Sequence, residues 1–137
     1  MAVTDLPILS MLRTKMQWHQ ARQKLIAENV ANADMPGFKP RDLTQPRFNT
    51  ATGEIAQGGG AVSLALTSST HIATAASGDG IGADPRRVKS FEVSPSGNAV
   101  NLEEEMLKAG DNQSDYQLAA SLYQKSLDAL KIAVGKR

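Results

Sequence analysis

Two stretches of this chain repeat apolar residues at helical spacing, and between them the pattern disappears. In the first, Ile8, Leu12 and Met16, then Ile26, Val30 and Ala33, fall on one row, with Met11, Trp18 and Leu25 on a neighbouring row at sevenfold spacing. His19 and Gln23 interrupt the first row. The spacing predicts a helix over 7–33, with Pro7 tolerated in its opening turn. At ~1.5 Å per residue that helix is roughly 40 Å long. The second stretch is more regular. Leu102, Met106, Ala109, Gln113, Tyr116, Ala120, Tyr123, Leu127, Leu130 and Val134 alternate at spacings of four and three, a heptad seam with one polar member, Gln113. A helix over 101–135 follows. Asn101 with Glu104 forms a capping pair, and Glu103-Glu104-Glu105 sit at the positive end of the helix dipole, with Lys131 toward the negative end. Gly110 costs about 1 kcal/mol in a helix interior and marks its weakest point.

Between the helices the chain reads differently. Pro40 and Pro46 among charged residues make 34–48 a turn followed by an extended arm. Eight of the eleven glycines lie between 50 and 97, so the middle, 49–97, reads as flexible with at most short strands, at Val62–Leu66 and Phe91–Val93. Gly78-Asp79-Gly80-Ile81-Gly82 lacks the preceding strand and following helix that a phosphate loop requires, and reads as linker.

The junction of first helix and arm is the most distinctive stretch: Asn29-Val30-Ala31-Asn32-Ala33-Asp34-Met35-Pro36-Gly37-Phe38. Asn29, Asn32 and Asp34 are poor helix formers whose short side chains bond nearby backbone groups instead. Pro36 disfavours helical geometry at Met35. Pro36-Gly37 fits the centre of a type II turn, proline pre-setting φ and glycine accepting a positive one. Phe38 is placed to fold back and bury its ring.

Composition narrows the function classes. At 137 residues the chain forms one domain, 1–137. Fifteen basic against fourteen acidic residues leave a net charge of +1, without the concentrated basic face that nucleic acid requires. Cysteine is absent, which removes disulfides and thiolate metal sites. No apolar run is long enough to span a bilayer, and no basic segment followed by an apolar one marks a cleavable signal at the N-terminus. Two distant histidines and no nucleophile motif assign no catalytic role; His19 reads as a partly exposed structural residue. The fold is therefore expected to be mainly α. Its long terminal helices pack as an antiparallel coiled-coil-like pair, seam to seam, through Ile8, Leu12, Met16, Trp18, Leu25, Ile26 and Val30 on one side and the C-terminal row on the other. Burying these side chains falls short of the backbone entropy of ordering about 60 helical residues, so neighbouring molecules are expected to complete the packing.

Asn29 through Lys39 resembles the N-terminal signature of the bacterial flagellar axial proteins (rod, hook and hook-associated subunits), whose usual form is Asn-Ile-Ala-Asn-Ala-x-Thr-Pro-Gly-Tyr. Met35 replaces the threonine and Phe38 the tyrosine. Gly97-Asn98-Ala99-Val100-Asn101-Leu102-Glu103-Glu104-Glu105-Met106 resembles the C-terminal motif of the proximal-rod branch, Gly-Asn-x-Val-x-Leu-Glu-x-Glu-Met. Phe38-Lys39-Pro40-Arg41-Asp42 and His71-Ile72 follow the same branch, with Pro40 departing. The resemblance implies a structural subunit that polymerises through its terminal helices into the drive shaft carrying motor torque for motility. Asn29, Asn32, Ala33, Pro36, Gly37 and Phe38 form its motif turn, and the seam residues pack between subunits. It implies, as partners, copies of itself, other rod proteins, the adaptor FliE, the MS ring and the flagellar type III export apparatus. Its location would be the periplasmic rod, reached without a cleavable signal. No cofactor, metal, nucleic acid or small-molecule substrate is implied. The competing reading is a cytoplasmic helical adaptor or chaperone that binds through the C-terminal seam.

Overall fold

The computed structural model describes residues 6–48, 85–88 and 92–135. Of the expected middle segment 49–97, residues 49–84, with the strand expected at Val62–Leu66, and 89–91 lie outside the described residues; Glu92 and Val93 belong to no strand. Four elements follow in order: α1 (Pro7–Ala31), β1 (Arg41–Leu43), β2 (Pro85–Arg87) and α2 (Leu102–Ala133).

Helix α1 starts with Pro7 in its first turn, where the Leu6 carbonyl takes the amides of Leu9 and Ser10 at 2.9 and 3.1 Å. It stops at Ala31, two residues short of the expected end. There the Asn32 side chain donates back to the Glu28 carbonyl at 2.7 Å, and Asn32 leaves the helical region at φ −101° and ψ 17°. Helix α2 is capped as the sequence suggests: Asn101 Oδ1 accepts from the amides of Glu103 and Glu104 at 3.0 and 3.3 Å. The Glu104 carboxylate reaches Lys108 Nζ at 2.8 Å.

The helices pack antiparallel. Asn29 meets Glu105, His19 meets Asn112 and Arg13 meets Tyr123, so position falls along α1 as it rises along α2. The row of α2 turned most deeply inward is not the apolar seam itself. Glu105, Asn112 and Ala119 are buried, each at 2% exposure. They lie one residue before Met106, Gln113 and Ala120. The two heptad rows share Ala109, Tyr116, Tyr123 and Leu130, which are half-buried along with Ala120 and Leu127. Leu102, Met106, Gln113 and Val134 are exposed within the single chain. On α1, Leu9, Trp18 and Ile26 are buried and Leu12, Met16 and Leu25 half-buried, whereas Ile8 and Val30 are exposed. Leu9 was not among the expected seam residues.

The arm is not wholly irregular. Arg41–Leu43 pairs antiparallel with Pro85–Arg87 in a two-stranded sheet that lies against α1. Trp18, expected on the seam, turns toward this arm: its indole N–H donates to the Thr44 carbonyl at 2.8 Å. Arg22 stacks over the indole at 5.4 Å and makes a two-pronged ion pair with Asp42, both bonds 2.8 Å. The hydrogen bond to Asp42, and then its charge, hold the Arg22 pKa above the ordinary arginine value against the opposing cost of burial.

Candidate interaction site: a clasp between the two motifs

The turn forms as the sequence requires. The Phe38 amide donates to the Met35 carbonyl at 3.3 Å around Pro36-Gly37, and Gly37 has φ +71°. A residue with a side chain rarely takes that angle, so glycine is needed for the reversal. Phe38 itself is half-buried, not fully folded under the turn.

What the sequence does not reveal is the partner of this turn. Residues 94–98 make a second tight reversal, with the Gly97 amide on the Ser94 carbonyl at 2.8 Å and the Ser94 amide on the Asn98 carbonyl at 2.8 Å. Gly97, at φ +79°, packs so closely that an added Cβ would sit 3.4 Å from the Gly37 Cα. The Gly37 amide donates to the Ser96 carbonyl at 3.1 Å, and the Ala99 amide to the Phe38 carbonyl at 3.0 Å. Asn98 closes the joint. Its buried Nδ2 donates to the carbonyls of Asn32 and Met35 at 3.0 and 2.7 Å, while its Oδ1 accepts from the Val100 amide at 2.8 Å. The two motif stretches, more than sixty residues apart, are thus one structure.

Asn29 makes the second half of the clasp. Its side chain copies a strand partner for Arg41, accepting the Arg41 amide at 3.0 Å and donating to the Arg41 carbonyl at 2.8 Å. The expectation that Asn29 bonds neighbouring backbone groups is corrected: its partners lie twelve and seventy-six residues away. The same Nδ2 donates to Glu105 Oε2 at 3.0 Å. Glu105 is buried, and its other oxygen accepts from Lys108 at 3.0 Å. Burial lowers the Lys108 pKa, but hydrogen bonds to Glu104 and Glu105 outweigh it and leave the pKa raised. That contribution to stability is complete at neutral pH and is lost only when strongly alkaline solution deprotonates the amine. A buried carboxylate with two partners is costly to disturb, because removing one leaves charge without compensation.

Two turns further along lies a second polar contact. Asn112 Nδ2 donates to the His19 carbonyl and to Gln23 Oε1, at 2.9 and 2.8 Å. Its Oδ1 therefore accepts from His19 Nδ1, 2.7 Å away, which fixes the tautomer with the proton on that nitrogen. His19 is buried at 2% exposure, not partly exposed as its sequence context suggests, with its ring edge against Trp18. Among the described residues no group of three His, Asp or Glu side chains is arranged to hold a metal, and no helix is long and apolar enough to cross a membrane.

The clasp is thus a polar joint at one end of the helical pair, fastening the Asn29–Phe38 turn to the start of α2. No family model matches the chain. Among curated proteins it is similar to the flagellar basal body rod protein FlgB of Agrobacterium fabrum, at 29% identity over 99% of this chain and 98% of that one. It is also similar to FlgB of Salmonella typhimurium, at 33% identity over 80% and 79% of the two chains. FlgB of Escherichia coli is 32% identical over 73% and 72%.

Proposed function

The chain belongs to the family of flagellar basal body rod proteins FlgB, and from that premise we propose that it is a structural subunit of the proximal rod. In this reading it polymerises through its terminal helices and transmits motor torque for motility. The observation that carries the reading is the clasp. Asn98 fastens the Asn29–Phe38 turn to the start of α2, so the terminal helices reach an assembly as one preset hairpin and not as two independent segments. A torque-bearing subunit requires that rigidity where its helices meet. Leu102, Met106 and Val134 on α2, with Ile8 and Val30 on α1, present apolar surface that the single chain leaves exposed. Neighbouring subunits are its natural cover, and half-buried Tyr116, Tyr123, Leu127 and Leu130 continue the packing inward.

The proposed neighbours are copies of this chain, other rod proteins, FliE and the MS ring, in the periplasmic part of the basal body. Export passes through the flagellar type III apparatus. The chain acts by packing, not by catalysis. A tagged chain that restores swimming to a strain lacking it should co-purify with detergent-washed basal bodies; recovery only in the soluble fraction overturns the assignment in favour of an adaptor or chaperone. Leu127→Asp separates export from assembly. It places a carboxylate in an apolar contact, at a cost of several kcal/mol. The variant is expected to be secreted yet to leave cells non-motile, while exposed Asp128→Ala swims normally. Equal defects at both positions refute the seam.

A further inference from the structure

The helix–helix contact is built against the hydrophobic pattern of α2. By apolar content, the seam carrying Leu102, Met106 and Val134 should turn toward α1. Instead Glu105, Asn112 and Ala119 do so, and those three seam side chains stay exposed. The two rows lie one residue apart, so turning α2 by about 100° exchanges them. The clasp opposes that turn at one end of the helix only. Further along, Tyr116 and Tyr123 meet Gln20 and Arg13 but belong to both rows, and Ala120 would replace Ala119 like for like. What distinguishes the two packings in mid-helix is the contact of His19 with Asn112.

That contact is tied to one setting of α2. The Asn112 side chain commits both amide hydrogens and its oxygen to α1. Nδ2 donates to the His19 carbonyl at 2.9 Å and to Gln23 Oε1 at 2.8 Å, and Oδ1 accepts from His19 Nδ1 at 2.7 Å. In the turned packing Gln113 would take its place, with its amide one methylene further out and about 1.5 Å further along the axis, away from that triple match. His19, 2% exposed, would then lose the partner of Nδ1. Its Nε2 already has no hydrogen-bond partner among the described residues. A leucine at position 19 would bury apolar surface without leaving a polar atom unmet, so stability alone does not account for the imidazole. We infer that His19 and Asn112 are the specificity-determining residues of the helical pair. They make the turned packing costly and so reserve the apolar seam of α2 for contacts outside the chain. They position that surface and touch no partner themselves. That the partner is a rod subunit rests on the proposed function; the choice of face does not.

Because the chain has no cysteine, Gln113→Cys on the seam and Ser114→Cys on the outer side can each be labelled with a thiol reagent in the dilute, full-length chain. Both positions are exposed, and in the wild-type background they should label at comparable rates. His19→Leu combined with Asn112→Leu removes the polar contact, and Gln23, itself exposed, turns to water. In that background α2 is expected to turn its seam inward. Gln113→Cys should then label about tenfold more slowly, while Ser114→Cys keeps its rate. The urea midpoint followed by circular dichroism should be no lower than that of wild type. Asn112→Leu alone should lower the midpoint, because it leaves the buried His19 N–H without an acceptor. A double variant that labels Gln113→Cys at the wild-type rate overturns the inference. So does a double variant with a lowered midpoint or no fold, which would make the pair a plain source of stability. Protection of Gln113→Cys in the wild-type background also overturns it, since the seam would not then face outward. All of these are read on the purified chain and do not depend on whether it builds a rod.

Discussion

Replacing Asn29 with aspartate changes one atom group in the clasp and is expected to uncouple the helices. The wild-type Nδ2 donates to Glu105 Oε2 at 3.0 Å and to the Arg41 carbonyl at 2.8 Å. In Asn29→Asp an oxygen takes its place and meets two acceptors with no proton to share. Two unit charges 3.0 Å apart repel by about 5 kcal/mol at an effective dielectric of about 20. Lys108, already bonded to the other Glu105 oxygen at 3.0 Å, tempers this, so a loss of about 3–5 kcal/mol is expected. That approaches the whole stability of a small domain, about 5–15 kcal/mol. The size of the pH dependence separates this mechanism from simple loss of hydrogen bonds. The folded variant's carboxylate pair holds a proton more readily than the two separate groups of the unfolded chain. The penalty is therefore complete at neutral pH and shrinks, relative to wild type, as pH falls and the folded pair takes up its proton. Asn29→Ala removes the same donor from Glu105 without adding a charge, so its deficit should shrink in the same direction but much less. Urea unfolding followed by circular dichroism at pH 7 and pH 5 measures all three proteins. Adding Glu105→Gln should recover the pH-dependent part, since the new amide donates to Asp. If Asn29→Asp and Asn29→Ala unfold alike at both pH values, Glu105 does not meet position 29 as described.

Two substitutions of glycine should act in opposite directions. Gly37→Val has open space around its Cβ but must hold φ +71°, so it should cost about 1–2 kcal/mol and impair swimming. Met35→Thr, at a half-exposed position in the same turn, should be nearly silent in both assays. Gly110→Ala meets nothing within 4 Å and stands inside a helix, so it should raise stability by about 0.5–1 kcal/mol in urea unfolding. Destabilisation there would mean that the helix path at Gly110 is wrong.

The sequence by itself determined everything set by local chemistry. Apolar spacing located both helices, Asn101 marked the start of α2, and Pro36-Gly37 marked a reversal with a positive φ. The resemblance at both ends of the chain pointed to a flagellar rod subunit, and its curated relatives are such proteins. Tertiary structure decided which row of α2 faces inward. The apolar seam and the buried row differ by one residue and share half their positions, so periodicity alone could not choose between them. Glu105 and Asn112 turn inward because Asn29, His19 and Gln23 supply their hydrogen bonds. That complementarity belongs to a pair of helices, and neither sequence shows it alone. The sheet was hidden for a similar reason: Arg41-Asp42-Leu43 has no alternating pattern of its own, and pairs with 85–87 while Asn29 satisfies Arg41 from the other side. Asn98 looked like one letter of a motif. Only the fold brings it to the carbonyls of Asn32 and Met35, each of which takes one local amide, from Met35 and Phe38, and has a second lone pair left for the Asn98 side chain.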